Sequence, residues 1–153
     1  MNAFERASRF VGIQEIDGSH NHPLIQWWLS LCGYSLESPD EIAWCSAFVN
    51  GVHWDCQLPR SKSAAARSWL RVGITVDLSD AKFGDVVILK RGVGSQPGPE
   101  IINAPGHVGF FAGWRDAKPN ETRDLLILGG NQNDEVNISA FPQSRVLGVR
   151  RVA

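Results

Sequence analysis

The chain of 153 residues lacks several features that mark specialised classes of protein. It has only three cysteines and no CxxC pair, which excludes a disulfide-stabilised scaffold and favours reduced thiols. Its formal net charge of −1 provides no overall positive field for nucleic acid or an anionic membrane surface. Its longest apolar runs are the size of a strand, far short of the roughly 18 residues that indicate a membrane span. We therefore expect no nucleic-acid partner and no membrane insertion.

The composition is that of a globular protein with a buried core. Apolar residues make up 43% and charged residues 20% of the chain, and repeats and low-complexity tracts are absent. A chain of this length suits one domain, so we expect a single domain over residues 1–153 that acts as a monomer. Residues 1–12 lack the apolar core and cleavage site of a secretory signal, which predicts synthesis in the cytoplasm without a signal peptide.

The order of the predicted elements favours an α+β fold. Apolar residues at helical spacing predict helices in the first half of the chain, at residues 4–11, 23–31, 44–56 and 63–72. After Gly73, short apolar runs separated by glycine and proline predict strands at residues 85–91, 107–114, 124–128, 135–139 and 146–152. Residues 92–105 are predicted to form a loop. Helices followed by strands imply an antiparallel sheet rather than a parallel one.

Cys45 is the candidate nucleophile. It stands at the predicted start of the third helix, where the helix dipole and unpaired backbone N–H groups stabilise a thiolate. This position requires residues 39–42 to form a separate short turn, because a helix that began at Pro39 would bury Cys45 in its interior. Taken alone, a free cysteine is more often a small buried hydrophobic residue. Cys32 and Cys56 lack comparable surroundings and are predicted to be structural.

Two further segments supply the partners of a thiol nucleophile. His107 opens a predicted strand between two glycines, and it would share a face with Gly109 while Val108 points to the other face. Asn131 follows a strand that ends in Gly129 and Gly130, and its amide oxygen is suited to accept a bond from an imidazole N–H. Each segment by itself also suits an ordinary strand start or turn. Together they place cysteine, histidine and asparagine in one chain order.

Four segments in this order resemble the motifs of a known family: residues 44–49 (WCSAFV), 84–87 (GDVV), 106–110 (GHVGF) and 129–132 (GGNQ). They are similar to the motifs of CHAP and NlpC/P60 cysteine peptidases, which cleave peptidoglycan, and in particular to small proteins of that kind from bacteriophages and prophages. The resemblance extends over nearly the whole chain and includes residues 12–15 and 21–23. It implies a papain-like fold in which N-terminal helices pack on an antiparallel sheet.

The resemblance implies a role for each candidate residue. Cys45 would be the nucleophile, His107 the base and Asn131 the residue that orients the imidazole, at a position that varies in the family. We assign Trp44 and Gln132 to substrate binding. The expected reaction is hydrolysis of an amide in a peptidoglycan stem peptide or cross-bridge, as an endopeptidase or N-acetylmuramoyl-L-alanine amidase, without cofactor or metal. Such an enzyme would reach the cell wall or periplasm through a holin, a virion or a secretion system.

Three alternatives remain open at this point. A metal site would use Asp17, His20 and His22, or His53 with Cys56, but neither group has the spacing of a standard zinc site. A second possibility is a non-catalytic module that binds the cell wall. A third keeps the thiol chemistry on a different amide substrate, since one fold hosts many activities.

Overall fold

Three short α-helices lie in the first half of the protein, counted over the residues that the structure describes. The computed structural model describes residues 1–16, 22–36, 43–92 and 95–153, and the turn predicted at 39–42 lies outside these ranges. The helices are α1 (Ala3–Ser8), α2 (Pro23–Ser30) and α3 (Cys45–Asp55). The longest has 11 residues, and within the described ranges no helix is long and apolar enough to cross a bilayer.

The helix starts follow from local capping. Asn2 and Glu5 form a capping box before α1, in which the Asn2 side chain accepts from the Glu5 backbone N–H at 2.8 Å. Nδ1 of His22 accepts from the Leu24 N–H at 3.1 Å, and Pro23 occupies the first turn of α2. These two starts lie close to the predicted ones, because the capping residues are adjacent in sequence.

The helix predicted at 63–72 is wrong in type and length. The segment forms a 3-10 helix over Ala66–Arg71. Ser63 and Ser68 explain the difference, because their side chains bond to the backbone beside the first turn: Oγ of Ser63 accepts from the Ala65 N–H, and Oγ of Ser68 donates to the Ala65 carbonyl. Such local bonds compete with the regular α-helical ladder.

The described residues of the second half include six strands, which form one sheet. The strands are β1 (Ile74–Val76), β2 (Val86–Lys90), β3 (Gly106–Trp114), β4 (Leu125–Gln132), β5 (Glu135–Phe141) and β6 (Val146–Arg151), in the spatial order β1-β6-β2-β3-β4-β5. Every neighbouring pair is antiparallel, which confirms the α+β class and the antiparallel sheet. Strand β1 escapes prediction because it has three residues and is largely exposed.

The sheet separates two hydrophobic clusters. On the helix side, Val86 and Ile88 pack with side chains from α2 and α3, whereas Val87 and Leu89 belong to a second cluster. Strand β2 is therefore buried on both faces, which explains its continuous apolar sequence. The GDVV segment begins with a turn held by Asp85, whose buried carboxylate pairs with Arg151 at 2.7 Å.

Candidate active site

Cys45 is the first residue of α3 and lies at its positive end. The preceding residue, Trp44, makes no side-chain hydrogen bond to cap the helix, so the N–H groups of the first turn keep their positive potential. The Cys45 side chain is buried, with an exposed fraction of 4%. The Cys45 thiol therefore lies at the positive end of the helix dipole, as the sequence predicts.

The Cys45 thiol interacts with His107 and with the backbone of Val108. Burial favours the neutral thiol and is the largest single influence on its pKa. The hydrogen bond and positive charge of His107, the N–H of Val108 and the more distant charge of Arg91 act in the opposite direction. Together these contributions lower the pKa of Cys45 below its ordinary value, which favours the thiolate.

His107 responds in the opposite direction. Burial favours the neutral imidazole, but the hydrogen bond to Cys45, the charge of its thiolate and a hydrogen bond to Gln132 raise the pKa of His107. The charge of Arg145 lowers it only in part. A lowered thiol pKa beside a raised imidazole pKa favours a thiolate–imidazolium ion pair.

The alternation of side chains along strand β3 determines which face of the sheet His107 occupies. Val108 and Phe110 point into the helix-side cluster, while His107 lies on the other face and stacks against the ring of Phe141, with centroids 5.4 Å apart. This alternation confirms the predicted faces of the strand. The guanidinium of Arg145 lies over the same Phe141 ring, 5.0 Å from its centroid, so the imidazole has a packed wall on one side.

The residue that orients the imidazole is Gln132. Its Oε1 lies 2.9 Å from Nε2 of His107. Its Nε2 donates to three oxygens, the carbonyls of Ile127 and Asn137 and Oδ1 of Asn137, at 3.1, 2.9 and 2.8 Å. Because an amide nitrogen only donates, the amide oxygen must face His107 and accept from a protonated Nε2. The remaining nitrogen, Nδ1, is then free to exchange a proton with Cys45.

The prediction that Asn131 orients the imidazole therefore needs correction, as does the assignment of Gln132 to substrate binding. The regular pairing of β4 with β5 shifts between Gly129 and Gln132, and Asn131 adopts a left-handed backbone with φ 58° at this irregularity. Because of this bulge, the side chain that reaches His107 is that of Gln132 and not that of Asn131. Gln132 is buried and its side-chain oxygen faces His107, so it does not form part of an exposed substrate surface.

Trp44 does not line a substrate surface either. Its side chain has no exposed area, it stacks on Trp28 at 6.0 Å, and its indole N–H donates to Oε1 of Glu15 at 2.7 Å. The predicted role in substrate binding is therefore wrong for direct contact. Trp44 instead packs the start of α3 against the rest of the protein, which fixes the position of its neighbour Cys45.

Two glycines of the GGNQ segment allow the site to close. A Cβ atom on Gly129 would lie 2.5 Å from Oε1 of Gln132 and 3.4 Å from Nε2 of His107. A Cβ atom on Gly130 would lie 2.6 Å from the Trp44 ring. The contacts with Gln132 and with Trp44 are shorter than a Cβ atom tolerates, so glycine is needed at both positions for close approach.

A buried arginine supports the loop before His107. Arg67 has no exposed area, and its Nε donates to the carbonyl of Pro105 at 2.9 Å. Its Nη1 donates to the carbonyls of Pro97, Gly98 and Ile101 at 3.0, 2.8 and 3.1 Å. Sequence reasoning missed this residue, because an arginine in an alanine-rich segment carries no signal of burial.

The other cysteines and histidines have different surroundings. Burial raises the pKa of Cys32 to about 11 and, with the charge of Asp55, raises the pKa of Cys56. His53 is buried against Trp69, and its Nδ1 lies 2.8 Å from the Pro59 carbonyl. In the described part of the chain no three His, Cys, Asp or Glu side chains converge as metal ligands. Asp17 and His20 of the alternative metal site lie outside the described residues.

The arrangement can perform acyl transfer. It combines a thiol with a lowered pKa, an imidazole held by an amide oxygen, and a helix start without a side-chain cap from Trp44. No protein-family model matches the chain, and a comparison with curated proteins finds no match. The functional interpretation therefore depends on the geometry and on the four motifs themselves.

Proposed function

We propose that the protein is a cysteine hydrolase that cleaves an amide bond of the peptidoglycan peptide. The observation that carries the proposal is the Cys45–His107–Gln132 arrangement at the start of α3. Its support for hydrolysis is chemical, because each group is poised for one step of acyl transfer. The support for peptidoglycan is the resemblance of the four segments, which include all three residues, to CHAP and NlpC/P60 enzymes.

The first half of the reaction uses the ion pair. The Cys45 thiolate attacks the amide carbonyl, and the new C–S bond forms as the carbonyl electrons move to oxygen. The backbone N–H of Cys45, at the positive end of α3, stabilises this oxyanion. The imidazolium of His107 then protonates the leaving amine as the C–N bond breaks, which leaves an acyl-enzyme thioester and a neutral imidazole.

The second half returns the site to its starting state. Neutral His107 removes a proton from water, and the resulting hydroxide attacks the thioester carbonyl. The C–S bond breaks, the product leaves as a carboxylic acid, and the thiolate–imidazolium pair forms again. Gln132 keeps its bond to Nε2 of His107 throughout, so Nδ1 remains the atom that carries the transferred proton.

The proposal is tested with purified peptidoglycan. The protein and its Cys45→Ala variant are incubated with this substrate, and newly released amino groups are quantified. Release by the unsubstituted protein and loss of at least about 10³-fold in the variant are expected, because the nucleophile is absent. Mass spectrometry of the fragments then distinguishes cleavage at the N-acetylmuramoyl–L-alanine bond from cleavage within the peptide or cross-bridge.

Other outcomes of the same experiment would assign the protein differently. Equal release by both proteins would overturn the thiol mechanism. Binding of peptidoglycan without release would favour a non-catalytic cell-wall module, and reaction of Cys45 with other acyl donors would favour a different amide substrate. Because the proposed substrate is extracytoplasmic, the proposal includes delivery to the cell wall or periplasm by a holin, a virion or a secretion system.

A further inference from the structure

Asn137 on β5 forms hydrogen bonds with both the side-chain amide and the backbone carbonyl of Gln132. Oδ1 of Asn137 accepts from Nε2 of Gln132 at 2.8 Å, and Nδ2 of Asn137 donates to the backbone carbonyl of Gln132 at 2.9 Å. These bonds cross the irregularity between β4 and β5, where the regular ladder is interrupted. One side chain thus replaces part of the missing backbone pairing and fixes the residue that contacts His107.

The Asn137 amide has one favourable orientation. Its Nδ2 also donates to Oε1 of Glu135 at 3.0 Å, and its Oδ1 also accepts from Oγ of Ser139 at 2.7 Å. Rotation of the amide by 180° would place its oxygen against the Glu135 carboxylate and the Gln132 carbonyl. The side chains on either side therefore fix the orientation of Asn137, and Asn137 helps to fix that of Gln132.

We propose that Asn137 is a positioning residue that acts through Gln132 to hold His107 in the tautomer that pairs with Cys45. The inference rests on the nucleophilic role proposed above for Cys45. It extends the site from the residues of the GGNQ segment to a second layer on β5. In the polar chain Ser139–Asn137–Gln132–His107, the hydrogen-bonded atoms of each link lie 2.9 Å apart or less.

The test measures the ion pair directly rather than the hydrolysis. Alkylation of Cys45 by iodoacetamide is followed by peptide mass spectrometry from about pH 5 to about pH 10, since only the thiolate reacts. In Asn137→Ala, the rate of Cys45 alkylation at about pH 6 should fall about tenfold, which is the effect expected when about one hydrogen bond that orients Gln132 is lost. Thermal unfolding of each variant shows whether the protein remains folded. Asn137→Thr, which keeps a strand-forming side chain, provides the same measurement if Asn137→Ala does not fold.

A double-mutant cycle separates positioning from simple support of the strand. If Asn137 acts through Gln132, Asn137→Ala should have no further effect on alkylation in a Gln132→Ala background. An equal loss in both backgrounds, or an unchanged profile in Asn137→Ala, would overturn the proposal. Ile138→Ala is the control, because Ile138 neighbours Asn137 on β5 and is 49% exposed, so its profile should match that of the unsubstituted protein.

The result is independent of the substrate. If Cys45 alkylates rapidly near neutral pH and Asn137→Ala slows it, positioning holds even where no peptidoglycan is cleaved, and only the proposed function fails. If cleavage depends on Cys45 while Asn137→Ala leaves the alkylation profile unchanged, the proposed function holds and positioning fails.

Discussion

Oε1 of Gln132 lies 2.9 Å from Nε2 of His107, and Asn131, the preceding residue, stands in a left-handed backbone conformation at the bulge between β4 and β5. The two neighbouring amides therefore have different tasks. Gln132 sets the tautomer of the His107 imidazole, whereas Asn131 adopts the backbone conformation of the bulge that lets Gln132 reach it.

Substitution of the two amides should give opposite results. Gln132→Ala should reduce the release of amino groups from peptidoglycan about 10²-fold, because His107 loses the acceptor that holds its ring. Asn131→Gly should stay within about twofold of the unsubstituted protein, because glycine adopts a positive φ without strain. A large loss in Asn131→Gly together with a small loss in Gln132→Ala would instead return the orienting role to Asn131.

The pH dependence of Cys45 should differ from that of the other thiols. Because the Cys45 pKa is lowered and the His107 pKa is raised, alkylation and hydrolysis should rise as pH increases through the lowered thiol pKa. Hydrolysis should fall again as pH increases through the raised His107 pKa, since the leaving amine then loses its acid. Cys32, with a pKa of about 11, is the internal reference and should react only in strong base. Parallel alkylation profiles for Cys45 and Cys32 would contradict the ion pair.

A methyl group at Gly129 should damage the site more than the fold. The Cβ of Gly129→Ala would lie 2.5 Å from Oε1 of Gln132, so the amide must move away from His107. We expect a loss of activity of about tenfold or more, together with slower alkylation of Cys45 near neutral pH. Gly98→Ala is the control, because its Cβ would meet only the flexible carboxylate of Glu100. Equal activity in both variants would show that the contact is relieved without displacing Gln132.

Replacement of the buried Arg67 by lysine should destabilise the protein. A lysine ammonium is a single point of donation and cannot reach the carbonyls of Pro97, Gly98, Ile101 and Pro105 together. The free energy of unfolding should fall by about 2 kcal/mol, as expected when buried polar groups lose partners. Denaturant unfolding measures the change, with Arg71→Lys as the matched control, because Arg71 is exposed on the same 3-10 helix. That control should change stability by less than about 0.5 kcal/mol.

The sequence was most informative where a property depends on adjacent residues. The helix start at Cys45, the strand that begins beside His107 and the antiparallel sheet all follow from local spacing and from the order of elements. The third site residue depends on a bulge, whose position is set by the pairing of two strands and not by the alternation within one. The GGNQ segment therefore identified the correct end of β4 but the wrong amide.

The burial of Trp44 and of Arg67 could not be predicted from their neighbours in the sequence either. A tryptophan beside a nucleophile suits a substrate wall as well as a core, and only the packing of Trp28 and Gly130 around it decides between the two. Asn137 gave no signal either, because its partners are brought to it by the pairing of β4 with β5.

The wide separation of the site residues along the chain has a consequence for protein synthesis. Cys45 comes from a helix in the first half, and His107 and Gln132, which are 25 residues apart, come from strands near the end. The ribosome must therefore synthesise the chain through β4 before Cys45 can meet both His107 and Gln132, since the ion pair requires these long-range contacts. Until then Cys45 lacks the hydrogen bond and the charge of His107 that lower its pKa. The lowered thiol pKa is thus a property of the folded protein and not of the nascent chain.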